Sequence, residues 1–317
     1  RLQASEDPSG GGQGQEHPWA LDFASLSYEM TGRGKPKKVL GKGGFGVVFR
    51  ATLTGKDGKE REVAVKEPYD ASQDLESAFL QEAKALHRLR HRNVVKFVGG
   101  VVSDKTGDPC YMLVYEILAV TLKDHLPSLG SDGGRKRRLV LDMAEGLSYL
   151  HSMRIVHRDI KPENIMISST DGRETAKYID FGLSKEWETL TTSRSKTAVV
   201  GTPGWMSPEK MRGETSSAAS DVFSFGLVGL YVLASGGTPP STQAERVRMV
   251  RASGHGDGIC GRLILCCTVD DKWCRPTSAT VATSLVIGVD IFNARAGQPS
   301  PTTPAVAVVD PRRVSQA

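Results

Sequence analysis

The chain has 317 residues, of which 39% are hydrophobic and 24% are charged, and its formal net charge is +5. These values are normal for a soluble globular protein that can bury a sizeable core without disulfides. The modest charge, without basic runs interleaved with aromatic residues, argues against nucleic-acid binding. The longest apolar stretch, residues 222–234, is too short to span a bilayer, so no membrane contact is expected within this segment. The five cysteines form no CxxC pair and their number is odd, which predicts reduced thiols in a cytoplasmic protein.

The two ends of the chain differ in composition from its middle. Residues 1–34 are predicted to be a disordered N-terminal segment, because residues 1–16 are rich in Gly, Gln and Ser. Residues 289–317 are predicted to be a flexible tail, since Pro, Thr and Val dominate most of it without a helical or strand period. Part of the N-terminal segment is expected to dock on the folded body through Trp19, Leu21, Phe23 and Leu26.

The middle of the chain begins as sheet. From Lys37 to about Val65, β-branched residues alternate with polar ones and with turns that contain glycine, which predicts antiparallel strands. An amphipathic helix follows, with Asp74 as its candidate N-cap. Two further strands fit residues 94–102 and 111–116.

Helical periodicity prevails beyond Leu122. The expected fold class is therefore α+β, with two lobes. The N-terminal lobe, residues 35–118, is predicted to be a small antiparallel sheet with one main helix, and the C-terminal lobe, residues 119–288, to be larger and mainly helical. A ligand is expected in the cleft between them.

A glycine-rich segment lies near the start of the predicted sheet. Its pattern GxGxxGxV is shared with dinucleotide-binding folds, but those need a helix directly after the last glycine. Here the chain continues as strand and turn to Gly55, which indicates a hairpin instead. Glycines at a hairpin tip let backbone N–H groups approach phosphate oxygens. The candidate phosphate-binding residues are Gly41, Lys42, Gly43, Gly44, Phe45 and Gly46.

Lys66 ends an apolar strand and is a candidate to hold a positive charge over the phosphates of a nucleotide. The predicted helix supplies a partner, because Glu82 lies between Phe79 and Leu86, near the apolar face. A carboxylate at such a position is costly to bury unless a cation pairs with it. Lys66 and Glu82 are therefore predicted to form an ion pair.

The most specific string in the sequence is His157-Arg-Asp-Ile-Lys-Pro-Glu-Asn164, which Asp180-Phe-Gly follows. Phosphoryl transfer requires a protein mainly to position the reactants and to neutralise charge. Asp159 would orient an attacking hydroxyl and accept its proton, and Lys161 would stabilise charge on the moving phosphoryl group. Asn164 and Asp180 are candidate ligands of Mg²⁺, which prefers hard oxygen ligands and bound phosphates.

With these motifs the chain resembles the eukaryotic protein-kinase family over about residues 35–288. The resemblance implies the bilobal protein-kinase fold and transfer of the γ-phosphoryl group of ATP, with ATP and Mg²⁺ bound in the cleft. It also implies a buried, structural ion pair between Arg275 and Glu209. The resemblance continues in the strings Gly201-Thr-Pro-Gly-Trp-Met-Ser-Pro-Glu209, Asp221-Val-Phe-Ser-Phe-Gly226 and Trp273-Cys-Arg-Pro-Thr277.

The same resemblance places further residues around ATP. Tyr115 would guard the back of the pocket, while Glu116 and Leu118 would offer backbone groups to adenine. The residues that would sandwich the adenine ring are Val48, Ala64 and Met166. The residues that would stack as a spine linking the lobes are Leu86, Phe97, His157 and Phe181.

Two features indicate serine or threonine as the phosphate acceptor. Lys161 follows Asp159 by two residues, and Thr202 stands in a Gly-Thr-Pro-Gly string where it is expected to hydrogen-bond both. Other strings, such as Phe79-Leu-Gln-Glu-Ala, resemble tyrosine kinases, so the mixture points to the tyrosine-kinase-like group of serine/threonine kinases. A tyrosine or dual-specificity kinase and a pseudokinase scaffold are the alternatives, and the platform at residues 201–209 disfavours a small-molecule phosphotransferase.

The segment 180–209 resembles an activation loop with several hydroxyl side chains. A phosphate on Thr197, or as second choice on Ser195, would pair with Arg158 and order the loop. The alternative is a loop that is simply polar and exposed. The implied partner is a protein substrate with a serine or threonine acceptor, and the chain is expected to be monomeric or transiently dimeric.

Overall fold

The computed structural model describes residues 17–29, 38–43, 46–69, 75–181, 185–186, 201–255 and 258–295. The described part has two lobes, one an antiparallel sheet with a single main helix and the other mainly helical, which confirms the predicted bilobal α+β fold. Some predicted features lie outside the described residues, namely the helix cap Asp74, the loop residues Gly44 and Phe45, the phosphorylation candidates Ser195 and Thr197, and the ends 1–16 and 296–317.

The N-terminal lobe is built on a six-stranded sheet. Its strands are β1 (Leu26–Ser27), β2 (Val39–Gly43), β3 (Gly46–Thr54), β4 (Glu60–Pro68), β5 (Phe97–Ser103) and β6 (Pro109–Glu116). Their spatial order is β1-β3-β4-β6-β5, and β2 pairs with β3. On β4 the buried Val63 and Val65 alternate with the half-buried Ala64 and Lys66, as the two-residue period of a strand requires. Lys66 therefore points to the face of the sheet opposite the two valines.

One amphipathic helix, α1 (Leu75–Arg88), packs on β5 and β6. Its buried residues Phe79, Ala83 and Leu86 are spaced by three or four positions and form a single face. Glu82 lies next to this face, on the side of the helix that approaches Lys66. The packing of α1 thus sets how close the Glu82 carboxylate comes to the sheet.

Residues 17–28 lie against the sheet and against α1. Trp19 is 4% exposed and belongs to the main hydrophobic core, whereas Leu26 is 6% exposed and belongs to a second cluster formed with β3 and β4. Leu21 and Phe23 pack against the second cluster. The apolar residues singled out from the sequence therefore contact both clusters of the N-terminal lobe.

The C-terminal lobe consists mainly of helices. They are α2 (Leu122–His125), α3 (Gly133–Ser152), α4 (Pro208–Met211), α5 (Ala218–Leu233), α6 (Gln243–Ala252), α7 (Ile259–Cys267) and α8 (Ser278–Arg295). Helix α5 is buried nearly all round, and α3, α6 and α7 pack on it. Helix α8 runs past residue 289, where the flexible tail was predicted to start. Within the described residues, no helix combines the length and the apolar character that a membrane crossing requires.

Short strands line the C-terminal lobe where it meets the sheet. They are β7 (Val120–Thr121), β8 (Ile155–Val156), β9 (Ile165–Thr170), β10 (Arg173–Tyr178) and β11 (Lys185–Glu186). The hairpin β9-β10 also pairs with β7, and β8 pairs with β11. The N–H of Val95 donates to the Tyr178 carbonyl at 2.9 Å, which ties the segment before β5 to the C-terminal lobe.

A buried ion pair joins α4 to the segment before α8. The guanidinium of Arg275 donates to both carboxylate oxygens of Glu209, at 2.7 and 2.8 Å. The two side chains are 0% and 1% exposed, which confirms the predicted structural pair. Burial by itself raises the pKa of Glu209, but the hydrogen bonds from Arg275 and its neighbours outweigh burial and lower the pKa to about 2.

Arg275→Met should lower the free energy of unfolding by about 3–5 kcal/mol, because it leaves the Glu209 carboxylate buried without its cation. Urea denaturation at neutral pH measures this change. The matched control is Arg212→Met, which removes the exposed ion pair with Glu214 and should cost less than about 1 kcal/mol. Similar losses in the two variants would contradict the structural role of the buried pair.

The same pair predicts an acid dependence of stability. The folded-state pKa of Glu209 is about 2 and its ordinary value is 4.5. The pair therefore contributes its full stability above the ordinary value and loses it as the pH falls towards 2. Urea denaturation between neutral pH and pH 3 should show a smaller acid-induced loss in Arg275→Met than in the wild type, and equal losses would refute the depressed pKa.

Candidate active site

The described residues of the glycine-rich segment belong to β2 and β3, which pair as a hairpin. Gly41 pairs with Val48 and Gly43 with Gly46, so the chain continues as strand after the last glycine. This confirms the hairpin and excludes the helix that a dinucleotide-binding turn needs. A Cβ at Gly46 would collide with the Glu67 carbonyl, whereas the space beside Gly41 and Gly43 is open. The backbone at Gly41 and Gly43 therefore leaves room for phosphate groups.

Lys66 extends from β4 into the cleft between the lobes. Its Nζ donates to Asp180 Oδ1 at 2.8 Å and lies 3.8 Å from Glu82 Oε1 on α1. The side chains of Lys66 and Glu82 are 14% and 19% exposed. Glu82 is thus within ion-pair distance, as predicted, but Asp180, which the sequence assigns to the metal site, is the nearer carboxylate.

The surroundings of Lys66 stabilise its charged form. Burial by itself lowers the pKa of the ammonium, but the charges of Glu82 and Asp180 together outweigh burial and raise that pKa above its ordinary value. Lys66 is therefore a cation at neutral pH. A fixed cation at this place suits contact with phosphate oxygens.

Tyr115, which was predicted to guard the back of the pocket, lies on β6 and pairs with Ala64 on the neighbouring strand β4. It is 8% exposed, and its ring lies 6.0 Å from that of Phe97. Burial first, and then the nearby charge of Glu82, raise the pKa of the Tyr115 hydroxyl well above its ordinary value. The hydroxyl is therefore neutral at physiological pH.

Asp159 and Lys161 lie on the loop that connects β8 to β9, which is named the catalytic loop after these two predicted catalytic residues. Asp159 Oδ2 lies 2.8 Å from Lys161 Nζ and accepts from Asn164 Nδ2 at 2.9 Å. Thr202 Oγ1 accepts from Lys161 at 2.7 Å and donates to Asp159 Oδ1 at 3.0 Å, which confirms the predicted link through this threonine. Three polar side chains thus hold the Asp159 carboxylate in one orientation.

Asp221 on α5 holds this loop from inside the C-terminal lobe. Its carboxylate, 2% exposed, accepts from the backbone N–H groups of His157 at 2.7 Å and of Arg158 at 2.9 Å. The bonds support Arg158 at a φ of 74°, a backbone conformation that is strained for a non-glycine residue. Lys210 on α4 adds a hydrogen bond to the Arg158 carbonyl at 2.5 Å.

These supporting roles of Asp221 and Lys210 were not predicted from the sequence. A signal for Asp221 was present, because an aspartate followed by an apolar helix must find hydrogen-bond partners if it is buried. Lys210 offered no such signal. Its position after Glu209 does not indicate that its side chain turns towards the loop of Arg158.

The backbone brings the predicted metal ligands together. The N–H of Ile179 donates to the Asn164 carbonyl at 3.0 Å, which places Asp180 one residue beyond this contact. The amide nitrogen of Asn164 donates to Asp159, so its amide oxygen is the atom suited to a metal. One carboxylate and one amide oxygen fit Mg²⁺, which completes its coordination with phosphates and water. The described residues contain no group of three or more His, Cys, Asp or Glu that could hold a metal without such help.

The residues predicted around adenine come from both lobes. Glu116 ends β6, and its N–H donates to the Lys96 carbonyl at 3.0 Å, so its own carbonyl is the backbone group suited to an adenine amine. Its carboxylate pairs with Lys177 at 2.6 Å. Leu118 packs on the main core. The three residues predicted to sandwich the ring are half-buried on β3, β4 and β9, respectively Val48, Ala64 and Met166.

The residues predicted to form a spine meet in the main core. Three of them, Leu86, Phe97 and Phe181, belong to the same hydrophobic cluster. The ring of His157 lies 5.3 Å from that of Phe181, and His157 Nε2 lies 3.0 Å from the Ile179 carbonyl oxygen. His157 therefore joins the catalytic loop to the segment of Asp180 through a ring contact with Phe181 and a polar contact with Ile179.

Comparison with known proteins matches the part of the chain that contains these candidate site residues. The model of the protein kinase domain matches residues 35–278. The chain is 36% identical over 254 residues to the proline-rich receptor-like protein kinase PERK12 of Arabidopsis thaliana, which covers 77% of the chain and 33% of that protein. It is 34% identical over 264 residues to the serine/threonine-protein kinase CTR1 of the same plant, covering 77% and 30% respectively. The chain thus spans about a third of the length of these relatives.

Asp221→Asn should lower the free energy of unfolding by about 2–3 kcal/mol, because an amide has only one acceptor oxygen for two buried backbone N–H groups. Urea denaturation at neutral pH measures the loss. Asp171→Asn, in an exposed turn, is the matched control and should change the stability by less than about 0.5 kcal/mol. If Asp221→Asn were as stable as this control, the carboxylate would not support the loop.

Proposed function

Because the chain belongs to the protein kinase family, we propose that it transfers the γ-phosphoryl group of ATP to serine and threonine hydroxyls of protein substrates. The observation that carries the proposal is the arrangement in which Lys161 and Thr202 contact the same Asp159 carboxylate. Since the chain spans only about a third of its relatives, the activity is proposed for this domain alone.

The geometry supports one task for each catalytic residue. The glycines of the β2–β3 hairpin and Lys66 hold the phosphates of ATP. Asp159 orients the acceptor hydroxyl and takes its proton as the oxygen bonds to phosphorus. Lys161 stabilises negative charge on the phosphoryl oxygens during transfer. Thr202 keeps these two side chains together, so the acceptor meets a base and a cation in fixed positions.

Mg²⁺ is the metal that the proposed site suits. Asn164 and Asp180 would hold it with one amide oxygen and one carboxylate. When bound, the ion neutralises charge on the β- and γ-phosphates. Asp180 would then share its carboxylate between the metal and Lys66, which supports a common site for the metal and the nucleotide.

The proposed acceptor class is serine or threonine. The contacts of Thr202 with Asp159 and Lys161 support it, and CTR1 carries the name serine/threonine-protein kinase. The alternative is a tyrosine or dual-specificity kinase, and identifying the phosphorylated amino acid in the product distinguishes it from the proposed class. A pseudokinase is disfavoured because the residues that catalysis needs are all present, namely Lys66, Glu82, Asp159, Asn164 and Asp180.

We also propose that phosphorylation of Thr197, or secondarily of Ser195, orders the activation loop. Both residues precede Thr202 closely in the chain, and Thr202 contacts the catalytic Asp159. Arg158 is adjacent to Asp159 and suits a phosphate. Mass spectrometry of active protein without any phosphate between residues 189 and 202 would refute this regulation.

The proposed location is the cytoplasm, and the proposed state is a monomer or a transient dimer. The free state of all five cysteines supports a reducing compartment. Size-exclusion chromatography with light scattering tests the oligomeric state, and a stable dimer at low concentration would overturn that part of the proposal.

Transfer of ³²P from labelled ATP to a peptide library tests the proposed activity. Asp159→Asn should lower the rate about 10²- to 10⁴-fold because it removes the base, whereas Asp171→Asn in an exposed turn should leave it unchanged. Removal of divalent metal with EDTA should abolish labelling, and Mg²⁺ should restore it. Equal labelling by Asp159→Asn and the wild type would refute the enzyme, and phosphotyrosine as the sole product would refute the acceptor class.

A further inference from the structure

Trp19 lies where the N-terminal strap, defined as residues 17–28, crosses α1 and β5. Its ring centroid is 5.7 Å from that of Phe79 on α1 and 6.4 Å from that of Phe97 on β5, edge-on in both cases. His17 stacks on it at 4.7 Å, and Trp19 is only 4% exposed. The match to the protein kinase domain begins at residue 35, so the strap lies outside the matched region.

Backbone contacts with β5 fix the position of Trp19. The N–H of Leu21 donates to the Gly100 carbonyl at 2.8 Å, and the N–H of Gly100 donates to the Trp19 carbonyl at 3.0 Å. A Cβ at Gly99 would lie 2.7 Å from the Trp19 carbonyl oxygen, and one at Gly100 would lie 3.0 Å from the rings of both Trp19 and Phe79. Two successive glycines on β5 therefore let the strap and α1 approach the same point of the sheet.

Two short paths of contact lead from Trp19 to the active site. Phe79 precedes Glu82 by three residues, so the two side chains lie about one turn apart on neighbouring faces of α1. Phe97 contacts the ring of Tyr115 at 6.0 Å, and the Tyr115 hydroxyl lies near the Glu82 carboxylate. Both paths end at the carboxylate that faces the active-site lysine.

We propose that Trp19 is a positioning residue, which holds α1 against the sheet and so keeps Glu82 within reach of Lys66. The inference rests on the proposed function, because the position of Lys66 affects activity only if Lys66 binds the phosphates of ATP. Without the indole, Phe79 loses the packing on one side. The Glu82 carboxylate, which is costly to bury away from a cation, can then move outward with the helix. The strap thus couples the segment before the matched domain to its active site.

Steady-state kinetics on the full chain test this role. We expect Trp19→Ala to lower kcat/KM for ATP at least about fivefold, the lower limit of a typical coupling between sites. Trp19→Phe, which keeps an aromatic edge against Phe79, should recover most of the loss. If Trp19→Ala does not fold, Trp19→Leu replaces it with the same expected loss, because it fills part of the space without an aromatic contact.

Leu26→Ala is the matched control. Leu26 belongs to the same strap and is 6% exposed, but it packs in the second cluster, whose buried residues do not include any from α1. It should lower the urea midpoint as a buried residue does, while kcat/KM for ATP stays within about twofold of the wild type. Equal kinetic losses in Leu26→Ala and Trp19→Ala would overturn the inference, since they would reflect general loosening.

A double-mutant cycle separates positioning from mere packing. The dissociation constant of a fluorescent ATP analogue is measured for Trp19→Ala, Glu82→Gln and the double variant. If Trp19 acts through Glu82, the double variant should bind no more weakly than Glu82→Gln alone. Fully additive losses would overturn the inference.

A measurement that does not require catalysis tests the role of Trp19 independently of the proposed function. Hydrogen–deuterium exchange of residues 75–88 should be at least about fivefold faster in Trp19→Ala than in Leu26→Ala, because α1 opens locally. If the wild type shows no phosphoryl transfer, the proposed function fails, and this comparison still decides whether Trp19 holds α1. Equal exchange in the two variants would overturn the inference even if the kinase activity is present.

Discussion

The charged side chain of Lys66 contacts carboxylates from both lobes. Its ammonium contacts Glu82 from the N-terminal lobe and Asp180 from the C-terminal lobe. A cation and two carboxylates that are all partly buried are costly to separate, so each restricts where the others can lie. The positions of α1, β4 and the segment after β10 are therefore not independent. The proposed ATP site is arranged around this one side chain.

In the C-terminal lobe, two other buried carboxylates are likewise stabilised by specific partners. Asp221 binds the backbone of the catalytic loop, and Glu209 is bound by Arg275. Each would be expensive to bury alone, so each selects one arrangement of elements that are distant in sequence. These contacts make the C-terminal lobe a firm support for Asp159. Preorganised polar groups of this kind contribute to catalysis because they need no rearrangement during the reaction.

The N-terminal lobe holds α1 in a different way. The helix meets the sheet and the strap through the aromatic rings of Trp19, Phe79 and Tyr111, in addition to the ion pair of Glu82 with Lys66. Such ring contacts depend on close packing and have no fixed hydrogen-bond length. Helix α1 is therefore the element through which the proposed role of Trp19 would act. The approach of Glu82 to Lys66, at 3.8 Å, depends on that packing.

The sequence by itself determined the two-lobed fold, the glycine hairpin and the residues of the catalytic loop, because these follow from spacing between near neighbours in the chain. The pair of Glu209 and Arg275, 66 residues apart, was predicted only through the family resemblance. Only the tertiary structure decided that Asp180 lies nearer to Lys66 than Glu82 does, that Asp221 supports the catalytic loop, and that Trp19 packs on α1. The physical reason is that sequence shows which charges and rings must be buried. The packing of distant elements then decides which partner comes within contact distance.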